Sequence, residues 1–308
     1  MKIRHFMNHS PEFGLLNIDK PLGWTSHDVV AIVRRETRIK KIGHAGTLDP
    51  LATGVLMLCL GQATRLSEYV MGHPKIYEAQ VRLGIETTTY DAEGEIVATN
   101  DTLISREQVE AVLTQFRGDI LQVPPLYSAI KQGGKKLYEI ARKGQGDTVE
   151  LTPRPVTIYD LQIITWDFPA LLLRVHCSPG TYIRSLAFDL GRILGVGAHL
   201  AGLRRVASGP FTTANAVDLE VLRKAIRQAT WQEHLLSPEM ALQEFPRVEL
   251  DEPQSRAVQN GVWLTLGESL LNSTELLRAY DDGGKFLAIL EPIAEQPGRW
   301  KPLKVFNR

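Results

Sequence analysis

One carboxylate in this 308-residue chain stands where a carboxylate can do chemistry. It is Asp49, in the run Gly43-His44-Ala45-Gly46-Thr47-Leu48-Asp49-Pro50-Leu51-Ala52-Thr53-Gly54. The glycines of this run let a ligand come close to the backbone, and Pro50 biases Asp49 toward an extended conformation. The apolar residues 55–60 that follow read as a strand buried on both faces, a rigid base for the loop. A carboxylate held this way could act as a nucleophile or move a proton. An Asp before a Pro also commonly caps a turn, and the loop by itself does not separate the two readings.

A second constellation is Cys177-Ser178-Pro179-Gly180-Thr181-Tyr182-Ile183-Arg184-Ser185, with a tyrosine and an arginine two residues apart at a strand-to-helix turn. Arg184 could grip a carboxylate bidentately and keep it charged and aimed, or it could be an ordinary surface arginine. Metal and nucleotide-loop chemistry find no footing. Of eight histidines, only His5 and His9 show i, i+4 spacing, with no carboxylate between them, and no Cys-x-x-Cys pair occurs. Gly133-Gly134-Lys135-Lys136 lacks the spacing and the Ser or Thr of a P-loop.

The elements that must hold these residues follow from periodicity and caps. Residues 14–18 form a short strand, and Thr25 or Ser26 caps a helix to about Arg38, with Asp28 near its positive end. Residues 43–54 are the glycine-rich loop. Residues 77–83 alternate as a half-buried strand, and 105–116 form an amphipathic helix capped by Ser105 and stopped by Gly118. A short helix is predicted over 136–142, strands over 156–166 and 171–177, and a helix over 181–194. Strands and helices mix without a strict βαβ rhythm, which predicts an α+β fold with a mixed sheet. From about residue 245, strand-like pieces at 262–266 and 286–290 alternate with Gly and Asp turns and predict a small β-rich domain.

Composition narrows the class. Hydrophobic residues make up 44% and charged ones 23%, ordinary values for a globular chain. Cys59 and Cys177 lie in apolar runs and read as reduced core thiols, which points to a cytoplasmic protein. The first residues hold no apolar signal segment, and the longest apolar run is 55–60, so neither secretion nor a membrane span is expected. The formal net charge is zero, which taken alone counts against nucleic-acid binding. Two basic clusters count the other way: Arg34, Arg35, Arg38, Lys40 and Lys41, then Lys131, Lys135, Lys136, Arg142 and Lys143.

The segment GLLNIDKPLGWTSHDVVAIVRRETRIKKIGHAGTLDPLATGVLMLCLGQATRLSEY closely resembles the TruB family of tRNA pseudouridine synthases. The resemblance continues through KIYEAQVRLGIETTTYDAEGEIV, VPPLYSAIKQGGKKLYEIARKG and HCSPGTYIRSLAFDLGRILGVGAHLAGLRRVASGPF, covering most of residues 14–211. It implies isomerisation of uridine 55 in the T-loop of tRNA, after the nucleotide has been flipped out, with Asp49 as the catalytic aspartate. It implies no metal and no cofactor, because the reaction breaks and re-forms one glycosidic bond without redox change. Tyr77 matches the tyrosine against the target base, Tyr182 and Leu203 match residues lining the uracil pocket, and His44 matches the residue that fills space around the flipped nucleotide. Lys20 and Pro21 match supports of the catalytic loop. Arg184 is expected beside Asp49, with Asp91 as its second partner.

The same resemblance implies a pseudouridine synthase domain over residues 1–235, with an RNA-contacting insertion at about 101–150, and a PUA-like RNA-binding domain over 246–308. The partner is the tRNA T-arm, recognised mostly by shape; no protein partner is required, and a monomer is the default. Two departures stand out. Arg65 replaces a common lysine, and the stretch 144–152 differs in length and carries Leu151 and Thr152 where charges are expected. Three rivals remain: an RNA chaperone, a glycoside hydrolase, and a guide-RNA-dependent synthase acting on ribosomal RNA. A hydrolase needs two carboxylates in acid and base roles, and no convincing second one is evident.

Overall fold

The computed structural model describes residues 13–306 apart from 129–130, 133–134, 138–139, 141–148, 150 and 268–273. The chain opens with β1 (Gly14–Lys20), β2 (Ile42–Ala45), β3 (Ala52–Leu60) and β4 (Lys75–Leu83), then the hairpin β5 (Ile85–Thr87) and β6 (Ile96–Thr99). Next come β7 (Gly118–Gln122), the hairpin β8 (Lys131–Gln132) and β9 (Lys135–Lys136), and the long pair β10 (Arg154–Asp167) and β11 (Ala170–Cys177). Strands β12 (Ala198–Ser208), β13 (Phe211–Thr212) and β14 (Val217–Asp218) complete this part. The main sheet runs β14-β1-β3-β12-β4-β11-β10-β7, with β2 beside β3 and β13 beside β12. The β1–β14 and β3–β12 pairs are parallel and the other neighbours antiparallel, so the sheet is mixed, as the element order predicts.

Strand β3 shows why its sequence is apolar at every position. Leu56, Leu58 and Leu60 join a core with Val29, Ile32 and Val33 of the helix Ser26–Thr37. Val55, Met57 and Cys59 point the other way, into a second core with Tyr280, Phe286, Ile289 and Phe306. Both faces are covered, so neither tolerates a polar residue. The covering residues come from a smaller sheet of β15 (Arg247–Glu249), β16 (Leu264–Thr265), β17 (Leu277–Tyr280), β18 (Phe286–Pro292) and β19 (Arg299–Val305), ordered β15-β17-β18-β19-β16. Arg65 belongs to this contact: it donates to Val305 O at 2.5 Å and its guanidinium lies 5.3 Å from the Phe306 ring centre.

Several elements differ from expectation. The glycine-rich loop is shorter than 43–54, because β2 and β3 take up its ends and leave residues 46–51 as the turn. The helix after Ser105 ends at Leu113 and tightens to a 3₁₀ turn through Phe116 before Gly118 (φ +84°) enters β7. The helix Ile183–Leu194 starts two residues later than predicted. Of the helix expected over 136–142, Lys136 lies in strand β9, Leu137 and Ile140 are helical as expected, and residues 138–139 and 141–142 lie outside the described residues. Strand β12, at the centre of the main sheet, has no counterpart among the expected elements.

Candidate active site

Loop 46–51 is fastened at alternate residues, which leaves the Asp49 side chain projecting from a rigid backbone. Ser26 Oγ accepts from Leu48 N at 2.8 Å and donates to Leu48 O at 3.0 Å. Gly23 N donates to Pro50 O at 2.9 Å. Lys20 is fully buried, and its ammonium reaches Trp24 O at 2.5 Å, Pro21 O at 3.0 Å and Pro50 O at 3.4 Å. Burial lowers its pKa to about 8, against the attraction of Asp49. Arg205 holds the near end, donating from Nη2 to Gly46 O at 3.1 Å. Gly54 has φ +96°, and a Cβ there would lie 2.2 Å from Arg205 O, so only glycine lets β3 and β12 come together at the loop.

The expected meeting of Asp49, Arg184 and Asp91 occurs, in a different geometry. Arg184 does not hold Asp49 bidentately; its guanidinium bridges two carboxylates. Nη2 lies 3.1 Å from Asp49 Oδ2, and Nη1 lies 3.5 Å from Asp91 Oδ2. The same nitrogens donate to Tyr127 O at 2.9 Å and Thr89 O at 3.4 Å. Asp91 is only 4% exposed, and its other oxygen accepts from Thr89 Oγ1 at 2.5 Å and Glu93 N at 3.1 Å. Asp49 is 38% exposed, so one carboxylate is engaged on all sides and the other opens toward whatever enters.

The other candidate residues come from three strands and a helix start. Tyr77 on β4 is buried and faces Arg205 across the β4–β12 register. Burial pushes the Tyr77 phenol above its ordinary pKa, and it raises Tyr182 too. Tyr182, at the N-cap of the helix Ile183–Leu194, is held by both ends of one amide: its N donates to Gln122 Oε1 at 2.7 Å and its O accepts from Gln122 Nε2 at 3.0 Å. Leu203 on β12 pairs with Ala52 on one side and Ala79 on the other, directly beside the loop.

His44 on β2 packs edge-on against His27, with ring centres 5.0 Å apart, and its Nδ1 is buried without a partner among the described residues. Burial, with His27 and Arg205 adding to it, lowers its pKa to about 4, so the ring is neutral at pH 7. The sign of the pH effect follows. The unfolded chain takes up this proton at about pH 6.5, before the folded one does, so stability is complete above that value and is lost as pH falls toward 4. In a ¹H–¹⁵N titration the His44 ring should stay neutral down to about pH 4, and His44→Asn should flatten the fall in Tm between these values. A normal histidine titration would refute this.

Arg205, Gln122 and Ser26 are site residues that the sequence reading did not single out. Arg205 and Gln122 carried no spacing signal, because each acts across the sheet or across the chain; Ser26 was read only as a cap. Glu93 is another, its pKa raised by burial and by Asp91 and Asp49. Of the first basic cluster, Arg34 donates to Ile42 O at 2.7 Å and so braces β2, while Lys40 and Lys41 are exposed beside it. Arg142 and Lys143 of the second cluster lie outside the described residues. Among the described residues, no group of three or more His, Cys, Asp or Glu could hold a metal ion, and no helix is long and apolar enough to cross a membrane.

Comparison with known proteins places the chain in a family. The family model described as TruB family pseudouridylate synthase (N terminal domain) matches residues 34–183, and that of the tRNA pseudouridylate synthase B C-terminal domain matches 184–244. The curated tRNA pseudouridine synthase B of Dehalococcoides mccartyi (strain CBDB1) is 46% identical over 96% of this chain and 97% of its own length. That of Geobacillus thermodenitrificans (strain NG80-2) is 44% identical over 96% and 99%. Among solved structures, an H/ACA RNP bound to a substrate RNA containing 2′-deoxyuridine aligns with TM-score 0.73 and 25% identity, covering 96% of this chain and 86% of that one. A Cbf5-Nop10-Gar1 complex aligns equally well, covering 96% and 85%. Family models meeting end to end over residues 34–244, and near-half identity along almost the whole chain, make this protein a member of the TruB family of pseudouridylate synthases, and so an isomerase.

Proposed function

We propose that this enzyme converts uridine 55 in the T-loop of tRNA to pseudouridine, with Asp49 as the group that opens the glycosidic bond. The observation that carries the reading is the half-open Asp49 carboxylate, aimed by an arginine whose other arm is fixed to a buried aspartate. Curated relatives named tRNA pseudouridine synthase B match nearly end to end, which favours a tRNA substrate. The N1–C1′ bond breaks with its electron pair staying on the uracil. Asp49 either bonds to C1′ or takes the 2′-proton to leave a glycal. The base then turns and C5 bonds to C1′ as the Asp49–C1′ bond breaks or, on the glycal route, as Asp49 returns the proton to C2′; the C5 proton leaves and N1 gains one, so the formula is unchanged.

The neighbours divide the remaining work. Tyr77, Tyr182 and Leu203 hold the uracil, and a neutral His44 fills space around the flipped nucleotide, contacts that offset the cost of about a few kcal/mol of lost stacking. Lys20 keeps the loop in place. Asp91 is fully engaged by Arg184, Thr89 and Glu93, so it is not free to act as the second acid of a glycoside hydrolase. Lys40 and Lys41 contact RNA phosphates, and residues 246–308 act as a PUA-like module on the acceptor stem. The enzyme works as a monomer without a protein partner, in the cytoplasm, where its two buried free cysteines stay reduced.

A T-arm minihelix tritiated at C5 of the target uridine tests this. Tritium release at the target position, unaffected by EDTA, is expected. Binding without release from either the arm or full-length tRNA would overturn catalysis in favour of an RNA chaperone.

A further inference from the structure

Arg205 is 2% exposed at the centre of the main sheet. Its neighbours in the site and along the strand each have an acidic partner: Arg184 has Asp49 and Asp91, and Arg204 has Asp19 at 2.7 Å. Arg205 pairs with no carboxylate among the described residues. Its Nε donates to Val55 O at 2.7 Å and Nη2 to Gly46 O at 3.1 Å, and its register partner on β4 is the buried Tyr77. A buried cation balanced only by neutral oxygens is costly, and the fold would be relieved of it by almost any apolar residue of similar size.

We propose that Arg205 is a positioning residue that acts through Tyr77, polarising the phenol so that its O–H donates to the uracil while that base carries the electrons of the broken N1–C1′ bond. The inference rests on the isomerase reading above. A guanidinium charge held across the register from the phenol strengthens the O–H as a donor without removing its proton, because burial raises the phenol's pKa and keeps it neutral. The uracil is nearly neutral before the bond breaks and anionic after it. A donor fixed in advance therefore favours the broken state over the bound substrate, and the fixed cation behind it costs nothing to reorganise.

The test is a double-mutant cycle of Arg205→Lys and Tyr77→Phe, read by single-turnover tritium release at saturating T-arm RNA and by RNA affinity. Arg205→Lys should slow release about 100-fold in the parent and change affinity by about 2-fold or less. In the Tyr77→Phe background the same change should slow release by about 2-fold or less, because the route through the phenol is already gone. Equal slowing in both backgrounds would overturn the proposal and leave Arg205 as a brace for Gly46. If Arg205→Lys lowers Tm too far, fluorotyrosines at position 77 give the second readout. Release should quicken as the phenol becomes more acidic, and a rate indifferent to its acidity would overturn the proposal. A parent enzyme that releases no tritium would instead overturn the reading on which this rests, before any variant is compared.

Discussion

Asp49→Asn is expected to bind T-arm RNA as the parent does and to release no measurable tritium from C5, a loss of at least about 10⁴-fold. The amide has the size and shape of the carboxylate. Loop 46–51 is held through its backbone by Ser26, Lys20, Gly23 and Arg205, none of which bonds the Asp49 side chain. The loop should therefore keep its course. Arg184 loses one partner at 3.1 Å and retains Asp91, Thr89 O and Tyr127 O, so the cost to stability is about 1 kcal/mol or less at this part-exposed position. What the amide cannot do is bond to C1′ or take the 2′-proton, so both routes stop at the same substitution. Turnover within about 10-fold of the parent would show that Asp49 only positions, and the reacting group would have to be sought elsewhere in the site.

How much of this was legible in the sequence depends on the range of the interaction. The helix Ser26–Thr37 was readable because its start is written locally: Thr25 caps it, and Asp28 completes the capping box three residues later. Strand β3 was readable because burial on both faces leaves an unbroken apolar run. Strand β12 was not, although it is central, because Gly202, Arg204 and Arg205 interrupt its alternation, and each is there for a partner distant in sequence. Gly202 stands over the Gln80 side chain, Arg204 reaches Asp19 on β1, and Arg205 reaches Val55 and Gly46. The candidate site divides in the same way. Asp49 and Arg184 stood in short motifs with a visible chemical logic. Their bridging geometry did not, because it is completed by the carbonyls of Thr89 and Tyr127, and a carbonyl leaves no mark on residue type.

Arg184→Lys is expected to cost about 10²- to 10³-fold in turnover while changing RNA affinity by about 3-fold or less. The charge survives, so any account in which Arg184 serves only as a positive charge predicts a small effect. Its geometry does not survive. A guanidinium is a planar fork that here meets Asp49 with one nitrogen and Asp91 with the other, while two carbonyls fix its plane. An ammonium is a single point on a flexible stem and can lie close to only one of the two carboxylates. Asp91 is the buried one, so the ammonium settles there, where an unpaired charge would cost most. Asp49 is then left to choose its own rotamer. A displacement of about 1 Å at the reacting oxygen is enough for a loss of about 10²-fold, and none of that loss need appear in binding, because affinity for a nucleic acid rests mainly on its phosphates and not on the aim of one carboxylate. Single-turnover rates and filter binding on the same T-arm separate the two quantities. Equal losses in both would mean that Arg184 holds RNA rather than the carboxylate. Asp91→Asn then distinguishes the bridge from its two ends: it removes the anchor without touching the opening, and on this geometry it should lower turnover in the same direction, again with affinity intact.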